Sequence, residues 1–308
     1  MSNINNEIEY INKMAKENPE DFVLKCEERY QNIINDVVKK ISASNERKII
    51  MLAGPSSSGK TTTANKLSEA LENNNVKTYV ISLDDFYLNR DDIPNREDGT
   101  KDFETVYALD LPCFRDTVNA LWAGETVKIP VFDFITGRRS ETKYTEITLG
   151  DSDAVIIEGL HALNPEITDK IEGNLTKIYI SVSSRIYDKN EKIILNKRNL
   201  RFVRRLVRDY KFRGSSVENT YTLWKNVMEG EDEYLFPYRH HADIRINTIH
   251  LYEPCVLKQQ ALPLLLNANL TETHKEDMKK LCKSLEMFED INIENVPSDS
   301  LLREFLGK

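Results

Sequence analysis

The sequence predicts an α/β protein with a parallel β-sheet flanked by helices. Three neighbouring segments carry this prediction: an apolar run at Lys48–Ala53, a helix-forming run at Lys60–Glu72 and a strand-like run at Lys77–Leu83. An unbroken apolar run that stops at Gly54 is typical of a strand buried on both faces. Because strand, helix and strand in this order form a βαβ unit, the two strands are expected to lie parallel.

The rest of the chain extends this pattern and interrupts it twice. Further buried strands are predicted at Ala154–Ile157, at Lys177–Val182 and, from a weaker pattern, at Asp243–Asn247. The first interruption, residues 84–108, is a polar and aromatic loop. The second contains two alternating runs, Thr126–Phe134 and Thr142–Leu149, joined by Thr136-Gly137-Arg138-Arg139, which is typical of a β-hairpin. Insertions at strand ends are where an α/β protein builds a substrate pocket.

The sequence divides into three segments. Residues 1–46 have apolar side chains at three- and four-residue spacing, which predicts helices, and Asn18-Pro19 is expected to divide them into two. We interpret this segment as a helical appendage packed on a central domain at residues 47–268. Residues 269–308 form a helical tail for which the sequence indicates no role.

Composition excludes several classes of function. The 308 residues carry a formal net charge of -8, which argues against a nucleic-acid partner, since such proteins need a broad positive face. The four cysteines show neither disulfide-like nor zinc-ligand spacing, as expected in a reducing compartment. The N-terminus lacks a signal-peptide pattern, and the apolar run near Ala261–Leu266 is too short to cross a bilayer. A cytoplasmic protein without a membrane partner is therefore expected.

A glycine-rich motif marks a site for nucleotide phosphates. The residues between the first strand and the first βαβ helix fit G-x-x-x-x-G-K-[ST], the P-loop pattern. Glycines and small serines let consecutive backbone N–H groups converge on a phosphate, and the helix that follows adds its positive N-terminal dipole. Lys60 is expected to reach the β- and γ-phosphates, and the Thr61 hydroxyl to bind Mg²⁺. The predicted nucleotide-binding residues here are Gly54, Pro55, Ser56, Ser57, Ser58, Gly59, Lys60, Thr61 and Thr62.

Carboxylates follow two of the predicted strands. Asp84 and Asp85 come after the second strand, and Glu158 ends the strand that precedes Gly159. Because the carboxyl ends of parallel strands face the same edge, Asp84 and Glu158 are predicted to lie near the γ-phosphate. A carboxylate there can bind Mg²⁺ or accept the proton of an attacking hydroxyl. The alternatives are a helix cap for the two aspartates and a buried structural side chain for Glu158.

Arginines are concentrated in one predicted helix, RNLRFVRRLVRDYKFRG. Arg201, Arg204, Arg205 and Arg208 share a face at i, i+3, i+4 and i+7 spacing. We favour a triphosphate clamp, since guanidinium groups neutralise charge on a transferred phosphoryl group. A solvated charged face and an RNA-binding face are the alternatives.

Taken together, these motifs resemble the uridine kinase/phosphoribulokinase family of P-loop kinases. The resemblance is carried, in order along residues 48–265, by GPSSSGKTT, SLDDFY, KDFETVYALD, IPVFDF, IIEGLHALN and RRLVRDYKFRG. The final PSDSLLREFLG also resembles the ending of bacterial uridine-kinase-like proteins. The resemblance implies a P-loop NTPase fold of the nucleoside-monophosphate-kinase type, with five parallel strands.

The resemblance also implies roles for individual residues. Asp84 would activate the acceptor hydroxyl, and Thr61, Asp84 and Glu158 would surround Mg²⁺. The residues expected to act in catalysis are Asp84, Lys60, Arg205 and Arg208, with Arg213 as a further nucleotide-binding lid arginine. The residues expected to contact the acceptor are Asp84, Tyr87, Glu104, Phe132 and Arg204, of which Glu104 corresponds to the ribose-binding acidic residue.

Two departures leave the acceptor open. The family's pyrimidine-reading segment has a tyrosine and a histidine at the positions of Phe132 and Gly137. A nucleoside acceptor, uridine or cytidine, is expected, with ATP or GTP as the donor and Mg²⁺ as the cofactor. A phosphosugar or a pantothenate-like alcohol is the alternative acceptor, and a non-catalytic nucleotide sensor is the alternative class. The sequence leaves homo-oligomerisation undecided.

Overall fold

The computed structural model describes residues 5–44 and 46–307, and its strands follow the apolar runs of the sequence. In chain order, the strands are β1 (Lys48–Ala53), β2 (Thr78–Ser82), β3 (Val127–Asp133), β4 (Arg138–Ile147), β5 (Ala154–Glu158), β6 (Leu175–Ser181), β7 (Ile186–Tyr187), β8 (Ile193–Leu195) and β9 (Ile244–Asn247). The helices are α1 (Ile8–Glu17), α2 (Pro19–Ile41), α3 (Lys60–Glu72), α4 (Leu111–Ala123), α5 (Pro165–Thr168), α6 (Lys197–Phe212), α7 (Val217–Tyr234), α8 (Glu253–Leu266), α9 (Glu272–Glu286) and α10 (Arg303–Leu306).

Five strands form the central sheet in the order β2-β5-β1-β6-β9, and every neighbouring pair is parallel. The predicted five-stranded parallel fold is therefore confirmed. In this sheet Glu158 on β5 lies level with Leu52 on β1 and with Ser82 on β2. The chain segments that follow these three strands therefore emerge side by side at one edge of the sheet.

Two apolar clusters cover the two faces of the sheet. Successive side chains of β1 point to opposite faces, so Ile50 and Leu52 join one cluster while Ile49 and Met51 join the other. The first cluster also contains residues of α1, α2, α6, α8 and α9 and of the C-terminal residues Leu301–Leu306. Helices outside the central segment therefore share an apolar core with it. The division of the chain into three segments stays a prediction.

The inserted hairpin differs in detail from its prediction. Strands β3 and β4 pair antiparallel, as expected. The turn was predicted to include Arg138 and Arg139, but both lie in β4, opposite Asp133 and Phe132. Arg139 is held there because its guanidinium group donates to the backbone oxygens of Tyr87 and Phe86 at 2.9 and 2.8 Å. The hairpin is thus fastened to the loop that follows β2.

Two further features concern the helices. The predicted βαβ helix is found as α3 with the expected bounds, and α2 packs against it through a 2.7 Å hydrogen bond between the hydroxyls of Tyr30 and Thr63.

Along the described part of the chain, no helix combines the length and the apolar character needed to cross a membrane.

Candidate active site

A cavity of about 270 Å³ lies at the edge of the sheet where β1, β2 and β5 end. Its lining comes from the P-loop, the loop after β2, the arginine helix α6, α7 and the C-terminal residues. Twelve of the residues predicted from the sequence line it: Ser56, Ser57, Gly59, Lys60, Thr61, Asp84, Tyr87, Glu104, Glu158, Arg205, Arg208 and Arg213. The P-loop, both predicted carboxylates and three arginines thus converge on one cavity.

The P-loop backbone includes two residues in the left-handed region. Ser57 has a φ of 58°, in the left-handed region that costs a residue with a Cβ some energy. Gly59 has a φ of 89° and lies against Leu301, so a Cβ there would come within 2.6 Å of that side chain. Lys60 begins α3, and its ammonium group donates a long 3.5 Å bond to the Pro55 oxygen. The loop backbone therefore faces the cavity at the N-terminus of α3, an arrangement that suits an anion.

Asp84 and Glu158 occupy adjacent positions in the cavity. Asp84 lies in a 3₁₀ turn directly after β2, where Ser82 rather than Asp84 caps the turn. The walls of the cleft desolvate Asp84 and raise its pKa, against the lowering effect of Lys60 and Arg213. Burial likewise raises the pKa of Glu158, against the effect of Lys60. Both carboxyls are thus more basic than an exposed carboxylate.

The oxygen ligands at this edge fit Mg²⁺. The Thr61 hydroxyl donates to Glu158 Oε1 at 3.2 Å, and Asp84 lines the same cavity. Among residues 5–44 and 46–307, no group of three or more His, Cys, Asp or Glu side chains could hold a metal by protein ligands alone. Mg²⁺ does not require such a group of protein ligands, because it binds through one or two protein oxygens together with water and phosphate oxygens.

One carboxylate organises the arginines at the cavity. Asp209, only 4% exposed, pairs with Arg205 at 3.1 Å, with Arg208 at 2.8 Å and with Arg213 at 3.6 Å. Arg205 also donates to the Ser56 hydroxyl at 2.9 Å. The three predicted lid arginines are therefore brought together. Sequence reasoning missed Asp209, whose single acidic side chain within a basic helix gave no separate signal.

The prediction that Arg204 contacts the acceptor is wrong. Its side chain is 0% exposed and lies behind the P-loop, where its Nε donates to Glu253 Oε2 at 2.5 Å. It also donates to the backbone oxygen of Ser57 at 3.3 Å. Helical spacing placed Arg204 on the face of Arg208, but Glu253, a residue of α8, holds it away from the cavity.

Arg201 supports the P-loop in a similar way. It forms a bidentate pair with Glu231 of α7, with N–O distances of 2.6 and 2.8 Å, and donates to the Ser56 oxygen at 3.0 Å. Glu231 Oε1 in turn accepts the Ser56 backbone N–H at 2.8 Å. Sequence reasoning missed Glu231, because nothing in the local pattern of α7 links it to a loop 175 residues earlier.

A second cavity of about 790 Å³ adjoins the first and is lined by three of the five predicted acceptor residues, Tyr87, Glu104 and Phe132. Tyr87, Glu104 and Arg205 line both cavities, and Phe132 lines the second. The rings of Tyr87 and Phe132 lie 5.6 Å apart between centroids. Burial raises the pKa of Glu104 to about 7, against the lowering effect of Arg205. This region therefore offers an aromatic surface and one carboxyl group that titrates near neutrality.

The remaining predicted residues lie outside the first cavity. Phe132 belongs to the second cavity alone, while Ser58 is fully buried. Thr62 donates its hydroxyl to Glu304 at 2.8 Å. Pro55 lines a third cavity on the other side of the P-loop, and Gly54 packs against Ile180.

The central part of the chain is similar in sequence to known proteins. The model of the phosphoribulokinase/uridine kinase family matches residues 49–252. A uridine kinase of Macrococcus caseolyticus (strain JCSC5402) is 30% identical over 200 residues, which cover 64% of this chain and 86% of that protein. A uridine kinase of Staphylococcus haemolyticus (strain JCSC1435) is 29% identical over the same length and coverage.

A solved structure supports the fold independently. A protein of Silicibacter sp. TM1040, provisionally described as a fructose transport system kinase, has a TM-score of 0.50 to this chain at 19% identity. The alignment covers 69% of this chain and 98% of that protein. At this identity the likeness concerns the fold alone.

The buried ion pair behind the P-loop generates a stability prediction. Because Arg204 and Glu253 are both 0% exposed, Glu253→Gln leaves an uncompensated buried charge. We expect the free energy of unfolding to fall by about 3–5 kcal/mol, measured by urea denaturation. The matched control is Asp232→Asn, which breaks the exposed Arg198–Asp232 pair and should cost at most about 1 kcal/mol. Equal effects of the two substitutions would contradict this assignment.

Proposed function

The chain belongs to the phosphoribulokinase/uridine kinase family, and from this we propose that it transfers the γ-phosphoryl group of ATP or GTP to the 5′-hydroxyl of a nucleoside, uridine or cytidine. The observation that supports the proposal is a continuous pair of cavities. One contains Lys60, Asp84 and the arginines, and the other contains Tyr87, Phe132 and Glu104. A phosphate donor and a ring-bearing acceptor can therefore meet at Asp84.

The residues of the first cavity suit in-line phosphoryl transfer. Asp84 accepts the proton of the attacking hydroxyl, and its raised pKa makes it a stronger base than an exposed aspartate. Lys60, the P-loop amides and Arg205, Arg208 and Arg213 neutralise charge on the phosphoryl group. When bound, Mg²⁺ would offset the charge of the β- and γ-phosphates, with Thr61, Glu158 and Asp84 as candidates to hold it. The protein then contributes mainly position and charge.

The residues of the second cavity suit a nucleoside better than a plain sugar. Tyr87 and Phe132 offer ring faces on which a base can stack. The Glu104 carboxylate can accept hydrogen bonds from two ribose hydroxyls. Phe132 cannot hydrogen-bond to the base, so discrimination between uridine and cytidine is expected to be weak.

A second candidate acceptor follows from two positions in this cavity. Phe132 and Gly137 line it without a side-chain hydrogen-bonding group. Without hydrogen-bonding groups at these two positions, the cavity can also suit another alcohol, and its lining arginines and Lys101 could bind the anionic group of a phosphosugar or a pantothenate-like metabolite. A sensor without transfer activity is disfavoured, since a base candidate, oxygen ligands and lid arginines line the same cavity.

An acceptor panel tests the proposal. The full-length protein is incubated with Mg²⁺ and ATP or GTP together with uridine, cytidine, purine nucleosides, pantothenate and phosphosugars, and products are identified by mass spectrometry. We expect a monophosphate from at least one pyrimidine nucleoside. Turnover of a non-nucleoside alcohol without either pyrimidine nucleoside would select the second candidate.

Replacing the proposed base tests the mechanism. Asp84→Asn is expected to lower kcat by about 10²–10⁴-fold, because the amide cannot accept the proton, while affinity for the triphosphate is largely kept. Steady-state kinetics and titration with the ATP analogue AMP-PNP measure the two effects. The control, Asp92→Asn, changes an exposed aspartate of the same loop and should leave both unchanged. Near-normal turnover by Asp84→Asn would remove Asp84 from the mechanism.

The raised pKa of Glu104 leads us to expect that acceptor binding depends on pH. Its pKa of about 7 means that it is largely protonated at pH 6 and largely ionised at pH 8. Since the ionised form accepts both ribose hydroxyls, affinity for uridine should rise up to about tenfold over this interval.

Isothermal calorimetry in the absence of triphosphate measures the affinity for uridine as a function of pH. The experiment uses the Asp84→Asn variant, so that titration of Asp84 does not contribute to the pH dependence. When Glu104→Gln is added to this variant, the affinity for uridine should be weak and independent of pH. A pH dependence that survives Glu104→Gln would assign the titration to another group.

A further inference from the structure

The last residues of the chain form part of the active-site wall. We define residues 297–307 as the C-terminal strap, which lies across the first turns of α3 and the end of α6. Asp299 pairs with Lys66 of α3 at 2.9 Å, and the Leu306 oxygen accepts from Lys211 of α6 at 3.1 Å. The strap lies outside residues 49–252, where the family model matches, so that match assigns it no role.

Glu304 is the strap residue that lines the first cavity. Its Oε2 accepts the Thr62 hydroxyl at 2.8 Å, one residue beyond the P-loop motif. Its Oε1 lies 3.8 Å from Arg208 Nη1, and its side chain is 20% exposed. A carboxylate from the far end of the chain thus reaches the phosphate end of the site.

Burial shows that the strap is fixed rather than a removable plug. Leu301, Leu302 and Phe305 are each 0% exposed and belong to the apolar cluster under α6. Ser300 also donates to Glu27 Oε1 of α2 at 2.6 Å. Displacing the strap would expose three large apolar side chains at once, which is strongly unfavourable. Glu304 is therefore expected to stay in place when a triphosphate binds.

Arg208 is held between two carboxylates. Its Nε and Nη2 contact Asp209 Oδ1 at 2.9 and 2.8 Å, while Nη1 points towards Glu304. Asp209 is the neighbour of Arg208 on the same helix. With this contact alone, the guanidinium group of Arg208 could rotate about Asp209. Glu304 limits this motion, because it attracts the opposite edge of the group.

We propose that Glu304 is a positioning residue for phosphoryl transfer, which fixes Arg208 and the first turn of α3 before the triphosphate arrives. The inference rests on the proposed transfer reaction. Its negative charge opposes binding of a polyanion, so its benefit is expected in the transition state rather than in the affinity for triphosphate.

Glu304→Gln separates positioning from folding. The amide oxygen can still accept from Thr62, but the attraction for Arg208 is lost. We expect kcat to fall by about ten- to a hundredfold, as is typical when a group near the reaction is misplaced. Affinity for Mg²⁺ and AMP-PNP should stay equal or increase, and the thermal unfolding midpoint should not change.

Asp299→Asn is the matched control. It removes the charge of an exposed strap residue that pairs with Lys66, and it should change neither kcat nor nucleotide affinity. An unchanged kcat in Glu304→Gln overturns the proposal. So does a parallel loss of kcat, affinity and thermal stability, which would indicate a purely structural role.

A second readout keeps this test independent of the acceptor. The slow hydrolysis of ATP by water, measured without any acceptor, uses the same phosphate end of the site. Glu304→Gln should lower this rate as well, and an unchanged rate overturns the proposal. Glu304→Gln could lower the rate of hydrolysis while the acceptor panel gives no product. That result would support Glu304 as a positioning residue and would contradict the proposed nucleoside acceptor.

Discussion

A P-loop needs a fixed backbone to bind a polyanion, and in this chain buried ion pairs support that backbone. Arg201 and Glu231 hold Ser56, and Arg204 and Glu253 lie behind Ser57. Burying such pairs costs desolvation energy, so a buried pair is weak evidence for stability. Their benefit is geometric: the two arginines hold the backbone oxygens of Ser56 and Ser57, and Glu231 holds the Ser56 N–H, so the course of the loop backbone is fixed.

The same constraint explains how an acidic protein keeps a cationic site. Each of these arginines near the P-loop has a carboxylate partner: Glu231 pairs with Arg201, Glu253 pairs with Arg204, and Asp209 is shared by the three predicted lid arginines. Paired guanidinium groups repel one another less and lose less rotamer freedom on binding. The site is thus prepared for a triphosphate without a broad positive surface, in agreement with the net charge of -8.

The acceptor side follows a different principle. The hairpin of β3 and β4 is attached to the loop after β2 through Arg139, and it supplies Phe132 beside Tyr87. The lining there combines aromatic rings with polar and charged side chains, among them Glu104, whose pKa burial raises to about 7. In the proposed reaction, phosphate binding would depend on fixed charge, whereas the acceptor would be selected by the shape of the cavity, by its polar side chains and by the protonation state of Glu104.

The sequence by itself determined the features that depend on neighbouring residues. The five strands of the central sheet, α3 and the P-loop follow from apolar runs and an eight-residue motif, and Asp84 and Glu158 follow from the rule that parallel strands end at one edge. Only the tertiary structure decided that Arg204 lies behind the loop and that Glu304 faces it. The partners in these contacts are 49 and 242 residues apart, and nothing in local spacing encodes which helices pack together. The direction of a long side chain depends on the partner that lies next to it in the packed structure. The charges that surround the phosphate site are therefore defined by the packing of the helices.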